Sequence, residues 1–164
     1  MTDQRRRSGD GFMRCSDGHV RWGIFGAAGV VFVTVAGEAV RVMLQKRSAW
    51  SHEGGTWSCA GGALDEGESA YEGAMREAAE EIGTVPEHRV LGECVFSPAT
   101  DWSYTTIVAE VADVFGGPMN FETDAVEWIT VAEVGGRSLH AGFAAAWPTL
   151  HLLINEASLA PPSR

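Results

Sequence analysis

The chain has 164 residues, a length that fits one domain with a usable apolar core. Its formal net charge of −10 at pH 7 lacks the basic footprint that nucleic-acid binding needs, so nucleic acid is not an expected partner. Cys15, Cys59 and Cys94 are too few and too scattered for a disulfide framework or a cysteine zinc site, and reduced thiols in a cytoplasmic compartment are the expectation.

Residues 1–10 are polar, basic and glycine-containing; they are expected to be disordered, leaving 11–160 as one domain. Arg5-Arg6-Arg7 is not followed by the apolar segment of a secretory signal. Phe12 to Trp22 reads as a small hairpin turning at Asp17-Gly18. Val30 to Val35 and Ala39 to Gln45 are β-rich runs separated by Gly37. The apolar run Ala27 to Ala36 is too short to span a bilayer, and no membrane partner is expected. Trp57 to Ala60 reads as a short strand. After a helical segment come strands at Arg89 to Ser97 and Tyr104 to Phe115, with Pro98 to Trp102 as the loop between them. Ala125 to Thr130 is a further strand and Val131 to Val134 a helical turn. A last helix is predicted over Trp147 to Glu156, with Pro148 in its first turn, where a missing N–H costs nothing. Mixed strands with two helices fit an α/β fold.

The helical segment carries the chemistry. Ala70, Ala74, Ala78 and Ile82 recur every four residues, with Tyr71 and Met75 beside them, as an apolar stripe that faces a core. Ser69 and Glu72 have capping-box spacing. Gly83 stands where a left-handed C-terminal residue is wanted. Gly73 costs about 1 kcal/mol relative to Ala in a helix interior, which suggests close packing against a neighbour. Glu77, Glu80 and Glu81 fall at i, i+3 and i+4, spacings at which like charges repel and weaken an isolated helix. A hard divalent cation with oxygen ligands relieves that repulsion. The plain alternative is a solvated acidic helix face.

Gly62, five residues, Glu68, seven residues, Arg76-Glu77, an apolar residue, any residue, Glu80-Glu81, any residue, Gly83 resembles the signature of the Nudix hydrolases. Seven fixed positions at residue frequencies near 7% give a chance match on the order of 10⁻⁶ per chain. Two positions depart from the family pattern: Thr84 fills its last apolar position, and Cys59-Ala60 stands where Leu-Pro is usual. The resemblance implies an α/β/α sandwich with a mixed sheet between helices. It also implies metal-dependent hydrolysis of a diphosphate linkage in a nucleoside diphosphate derivative: a nucleoside triphosphate, nucleotide sugar, ADP-ribose or similar. The alternative within the fold is a non-catalytic nucleotide-binding regulator.

On that reading Glu77, Glu80 and Glu81 ligate one to three Mg²⁺ or Mn²⁺ ions, the Gly61 carbonyl joins them, and Glu68 is an auxiliary ligand. Arg76 orients a neighbouring Glu by a charge-assisted hydrogen bond. The resemblance leaves the general base open between a glutamate of this helix and an acidic residue further on. Of the latter Glu127, just before Trp128, is favoured over Glu122, and an exposed strand-end carboxylate is its plain alternative. Arg47 at a strand end is expected to approach substrate phosphate. Trp50 and Trp102, placed in loops, are the candidates for stacking on a base, while Trp22, Trp57 and Trp128 read as core. Homodimers are common in the family, and one is possible here.

Overall fold

In the computed structural model, which describes residues 5–159, the central strand β3 (Ala27–Ala36) shows why the chain folds as layers. Val30 and Phe32 point to one face and Val31 and Val33 to the other, and all four are buried. A strand covered on both faces reads as a continuous apolar run. One face packs on helix α1 (Ala70–Ile82) through Ala74, Ala78 and Ile82; the other packs on helix α2 (Ala141–Leu159) through Phe143, Leu150 and Ile154. The result is the α/β/α arrangement with a mixed sheet.

β3 runs parallel to β8 (Trp102–Val111), which pairs antiparallel with β7 (His88–Ala99). On its other edge β3 divides its partners. Its C-terminal half, Val33 to Ala36, pairs with β4 (Ala39–Arg47), and its N-terminal half, Ala27 to Val30, pairs with β6 (Ala60–Ala63). β4 meanwhile leaves β3 and takes β5 (Trp57–Ser58) on that edge, with β9 (Thr123–Thr130) along the other. β3 and β4 therefore splay apart, and the segment 57–63 fills the wedge. β1 (Phe12–Arg14) and β2 (Val20–Trp22) form a separate hairpin, and Val131–Gly136 is a 3₁₀ turn.

Several sequence expectations change. Of the N-terminal tail, residues 1–4 lie outside the described residues, and part of the rest makes backbone contacts with the domain. The Arg7 carbonyl accepts from Glu66 N–H at 2.9 Å, and the Gly9 carbonyl from Ile24 N–H at 3.0 Å. α2 begins at Ala141, six residues before the predicted Trp147, so Pro148 lies inside it. Burial of Phe143, Leu150 and Ile154, on both sides of Pro148, holds the helix together through the lost backbone bond. Trp102 starts β8 rather than lying in a loop. Trp22 is not core: it is 45% exposed and meets Phe12 edge-on. Trp57 and Trp128 are half-buried and pack against the two core clusters.

Candidate metal and diphosphate site

α1 is built as its sequence prescribes. Ser69 Oγ accepts from Glu72 N–H at 3.1 Å and the Glu72 carboxylate accepts from Ser69 N–H at 3.0 Å, closing the capping box. Gly73 leaves room for the Leu64 side chain, whose tip a Cβ there would displace. At the C-terminus Gly83 takes φ 103°, a backbone glycine adopts freely. The last-turn carbonyls are then covered from outside the helix. The carbonyls of Glu81 and Ile82 accept from Met119 and Gly117 N–H, and that of Glu80 from the Asn120 side chain.

Arg76 organises the acidic face. Its guanidinium donates to both Glu68 oxygens at 2.8 and 3.0 Å, to Glu77 Oε1 at 2.8 Å and to the Ala63 carbonyl at 2.9 Å. Glu68 also accepts from Asp65 N–H at 2.9 Å, so both its oxygens are engaged. The Arg76 hydrogen bonds hold its carboxyl below the usual carboxylate range, against the opposing effect of burial. Glu77 lies flat on Gly62: a Cβ at Gly62 would come within 2.7 Å of its carboxylate atoms. Burial raises the Glu77 pKa despite the Arg76 contact. Glu80 is the exposed member of the set, with Oε1 3.6 Å from Arg76.

Glu81 is the buried centre, 4% exposed. Its Oε2 accepts from Gln45 Nε2 at 2.8 Å and from Gly61 N–H at 3.3 Å. Loss of water pushes its pKa up to about 8; the Gln45 hydrogen bond opposes that shift, and the neighbouring charge of Glu77 adds to it. Gln45 Oε1 is itself buried with no hydrogen-bond partner. Neither Gln45 nor its role was visible in the sequence, where a glutamine in a strand belongs to no motif.

The remaining sequence candidates separate. Met43 and Gln45 of β4 look toward α1, whereas Leu44 looks toward α2. Glu127 pairs opposite Leu44, so it projects to the α2 face and joins Arg137 at 2.7 Å. It is not brought to the carboxylates. Glu122 is: the 116–122 segment that covers the end of α1 carries it to within electrostatic range of Glu81, whose pKa it raises further. Asp10 approaches Glu77 in the same way. Gly61 turns its N–H to Glu81, and Gly61 and Gly29 sit opposite one another where the Tyr104 hydroxyl leaves no room for a Cβ. Arg47 donates through Nε to the His52 carbonyl at 2.9 Å and so fixes the following loop. Trp50 in that loop is 97% exposed. Trp102 is occupied elsewhere, with Arg21 over its ring at 5.2 Å and its Nε1 donating to the Trp22 carbonyl.

The two departures from the signature are accommodated. Ala60 is a buried residue of β6 opposite Val30, and Cys59 is buried beside Tyr104, with its thiol pushed up to about 12 by burial. The carboxylates of Glu77, Glu80 and Glu81, with Glu122 near them, outnumber the cationic charge that Arg76 supplies. The unpartnered Gln45 oxygen lies at the same point. Such oxygen donors, one of them deeply buried, are the kind a hard divalent cation takes. In this structure no three of these carboxylates converge within ligand distance of one another, so an ion would have to draw them together.

The NUDIX domain family model matches residues 25–153. The chain is 36% identical over 156 residues to a Mycobacterium tuberculosis protein provisionally named 8-oxo-dGTP diphosphatase 3; the match covers 91% of this chain and 72% of that protein. It is 34% identical over 158 residues to a nucleoside triphosphate pyrophosphatase/Nudix hydrolase fusion protein of Bifidobacterium longum, covering 93% of this chain and 33% of that one. Among solved structures, the Nudix hydrolase RenU of M. smegmatis superposes with TM-score 0.76 at 35% identity, over 95% of this chain and all of that one. The NUDIX domain of Shewanella oneidensis NrtR, solved with ADP ribose, shares the fold at TM-score 0.64 and 20% identity, over 84% of this chain and 90% of that one. By family model, relatives and fold, this chain belongs to the Nudix family of pyrophosphohydrolases.

Proposed function

We propose that the protein hydrolyses a diphosphate linkage in a nucleoside diphosphate derivative, with Mg²⁺ or Mn²⁺ held by Glu77, Glu80 and Glu81. The observation that carries the reading is the buried Glu81 carboxylate, which has hydrogen bonds from Gln45 and Gly61 but no basic side chain bonded to it. When bound, such ions neutralise the diphosphate and make a coordinated water more acidic. The chain's own residues set the frame. Gln45 and Gly61 fix Glu81, while Arg76 fixes Glu77 over Gly62 and is itself anchored by Glu68 and the Ala63 carbonyl. Glu68, with both oxygens engaged, is assigned to positioning rather than to the ion. Glu122, rather than Glu127, is assigned as the additional acidic group facing the site.

Relatives named for nucleoside triphosphates make a triphosphate, an oxidised purine deoxynucleotide among them, the first substrate to test. The exposed Trp50 ring is the base-stacking surface. Incubation with Mg²⁺ and a panel of nucleoside triphosphates, nucleotide sugars, ADP-ribose and dinucleotide polyphosphates tests the reading. Release of a nucleoside monophosphate and pyrophosphate from at least one triphosphate is expected. Tight ligand binding with no product from any member would point to the regulator instead.

A further inference from the structure

We propose that His52, Glu53 and His140 form a second metal site, separate from the signature carboxylates and suited to Zn²⁺ or a similar transition ion. One ligand atom from each of the three residues lies within 4.8 Å of the others. Glu53 Oε2 is 2.7 Å from His140 Nε2 and 3.7 Å from His52 Nδ1. A tetrahedral Zn²⁺ with bonds of about 2.0–2.1 Å holds its donors roughly 3.4 Å apart, so the three atoms need only small shifts to surround an ion. Two imidazoles with one carboxylate select a borderline transition metal over Mg²⁺, which prefers oxygen alone.

The site is built as well as close. Glu53 is the only non-glycine residue with positive φ among the described residues, at 53°, and this backbone holds its side chain against α2. Its second oxygen, Oε1, accepts from Ala141 N–H at 3.1 Å, which fixes the carboxylate plane. His140 is placed by its own N–H, which donates to the Trp57 carbonyl at 2.9 Å. His52 is largely exposed, leaving the fourth position open to water.

The tautomer gives a distinctive consequence. In this structure His140 Nδ1 accepts from Gly142 N–H at 3.1 Å, so Nε2 carries the ring proton toward Glu53. A metal at Nε2 moves that proton to Nδ1 and ends the Gly142 contact. The ion would tie the loop that carries Trp50 to the start of α2.

The test is Zn²⁺ titration of the full chain in excess Mg²⁺, with bound metal measured after dialysis, Co²⁺ absorption as a report of geometry, and the Gly142 amide followed by NMR. One equivalent of Zn²⁺ is expected to persist in Glu81→Gln. Its affinity should fall at least tenfold in His52→Ala and in His140→Ala, Co²⁺ should give intense tetrahedral bands, and the Gly142 resonance should shift on loading. His52 is exposed, so its replacement leaves the fold intact and the test decisive. Failure to retain Zn²⁺, or retention that is lost in Glu81→Gln and unaffected by the histidine variants, would overturn the proposal. Neither result touches the diphosphate hydrolase reading.

Discussion

In the proposed site Glu81 joins two demands that oppose each other, since its carboxylate would have to be charged to hold a cation yet is almost fully withdrawn from water. Glu81→Gln keeps the size and removes the charge. Turnover should fall by about 100-fold or more, as expected for a lost metal ligand, while the metal-free protein melts no lower than the parent at pH 8. Steady-state kinetics beside a thermal melt check both halves, and unchanged kcat would remove Glu81 from the ligand set. Gly62→Ala probes the neighbouring contact, because the added methyl occupies the space of the Glu77 carboxylate. Weaker Mg²⁺ activation with a preserved circular dichroism spectrum is expected; an unaltered Mg²⁺ dependence would show that Glu77 does not need its present position. At this scale the sequence was informative where spacing alone defines a face, as for Glu77, Glu80 and Glu81. It was uninformative where strand register decides. Glu127 and Trp128 are adjacent in sequence, yet only the pairing of β9 with β4 tells which of them looks toward α1.

Among the elements, α1 and α2 show opposite degrees of legibility. Every device of α1 is local: cap, apolar stripe and terminal glycine all lie within the segment from Ser69 to Gly83. α2 carries no such marks at its start, and its interior Pro148 imitates a first-turn proline. Its true beginning is fixed by long-range contacts, with the Ala141 N–H on Glu53 and the His140 N–H on the Trp57 carbonyl. Ser69→Ala removes the α1 cap and should cost about 1 kcal/mol, lowering Tm by about 2–4 °C with little effect on kcat. Calorimetry and kinetics measured together check this. Arg76→Lys is not conservative, because an ammonium cannot span Glu68, Glu77 and the Ala63 carbonyl at once. A larger loss in kcat than in Tm is expected; a loss confined to Tm would reduce Arg76 to a structural ion pair.

Across the whole molecule the raised and lowered carboxylates predict a stability profile with pH. Glu81 and Glu77 have folded pKa values above the unfolded ones, chiefly through burial, so ionising them costs stability. For Glu81 that loss grows as pH rises from the ordinary carboxylate range to about 8. Glu68, Glu72 and Glu133 are shifted down by hydrogen bonds, so their contribution is present above the ordinary range and disappears as pH falls through their folded values. The metal-free protein should therefore be most stable in mildly acidic solution. Added Mg²⁺ should raise Tm more at pH 8 than at pH 6, because a cation favours the ionised form. Thermal melts at both pH values with and without Mg²⁺ check the sign, and an equal shift at the two would break the link to Glu81. The wedge between β3 and β4 has a consequence for timing. Its filler, Ala60-Gly61-Gly62-Ala63, offers almost no side-chain area to drive its own docking and waits for strands and helix on either side. During refolding, catalytic competence should consequently lag behind the return of helix and sheet, making activity a late clock of the native state.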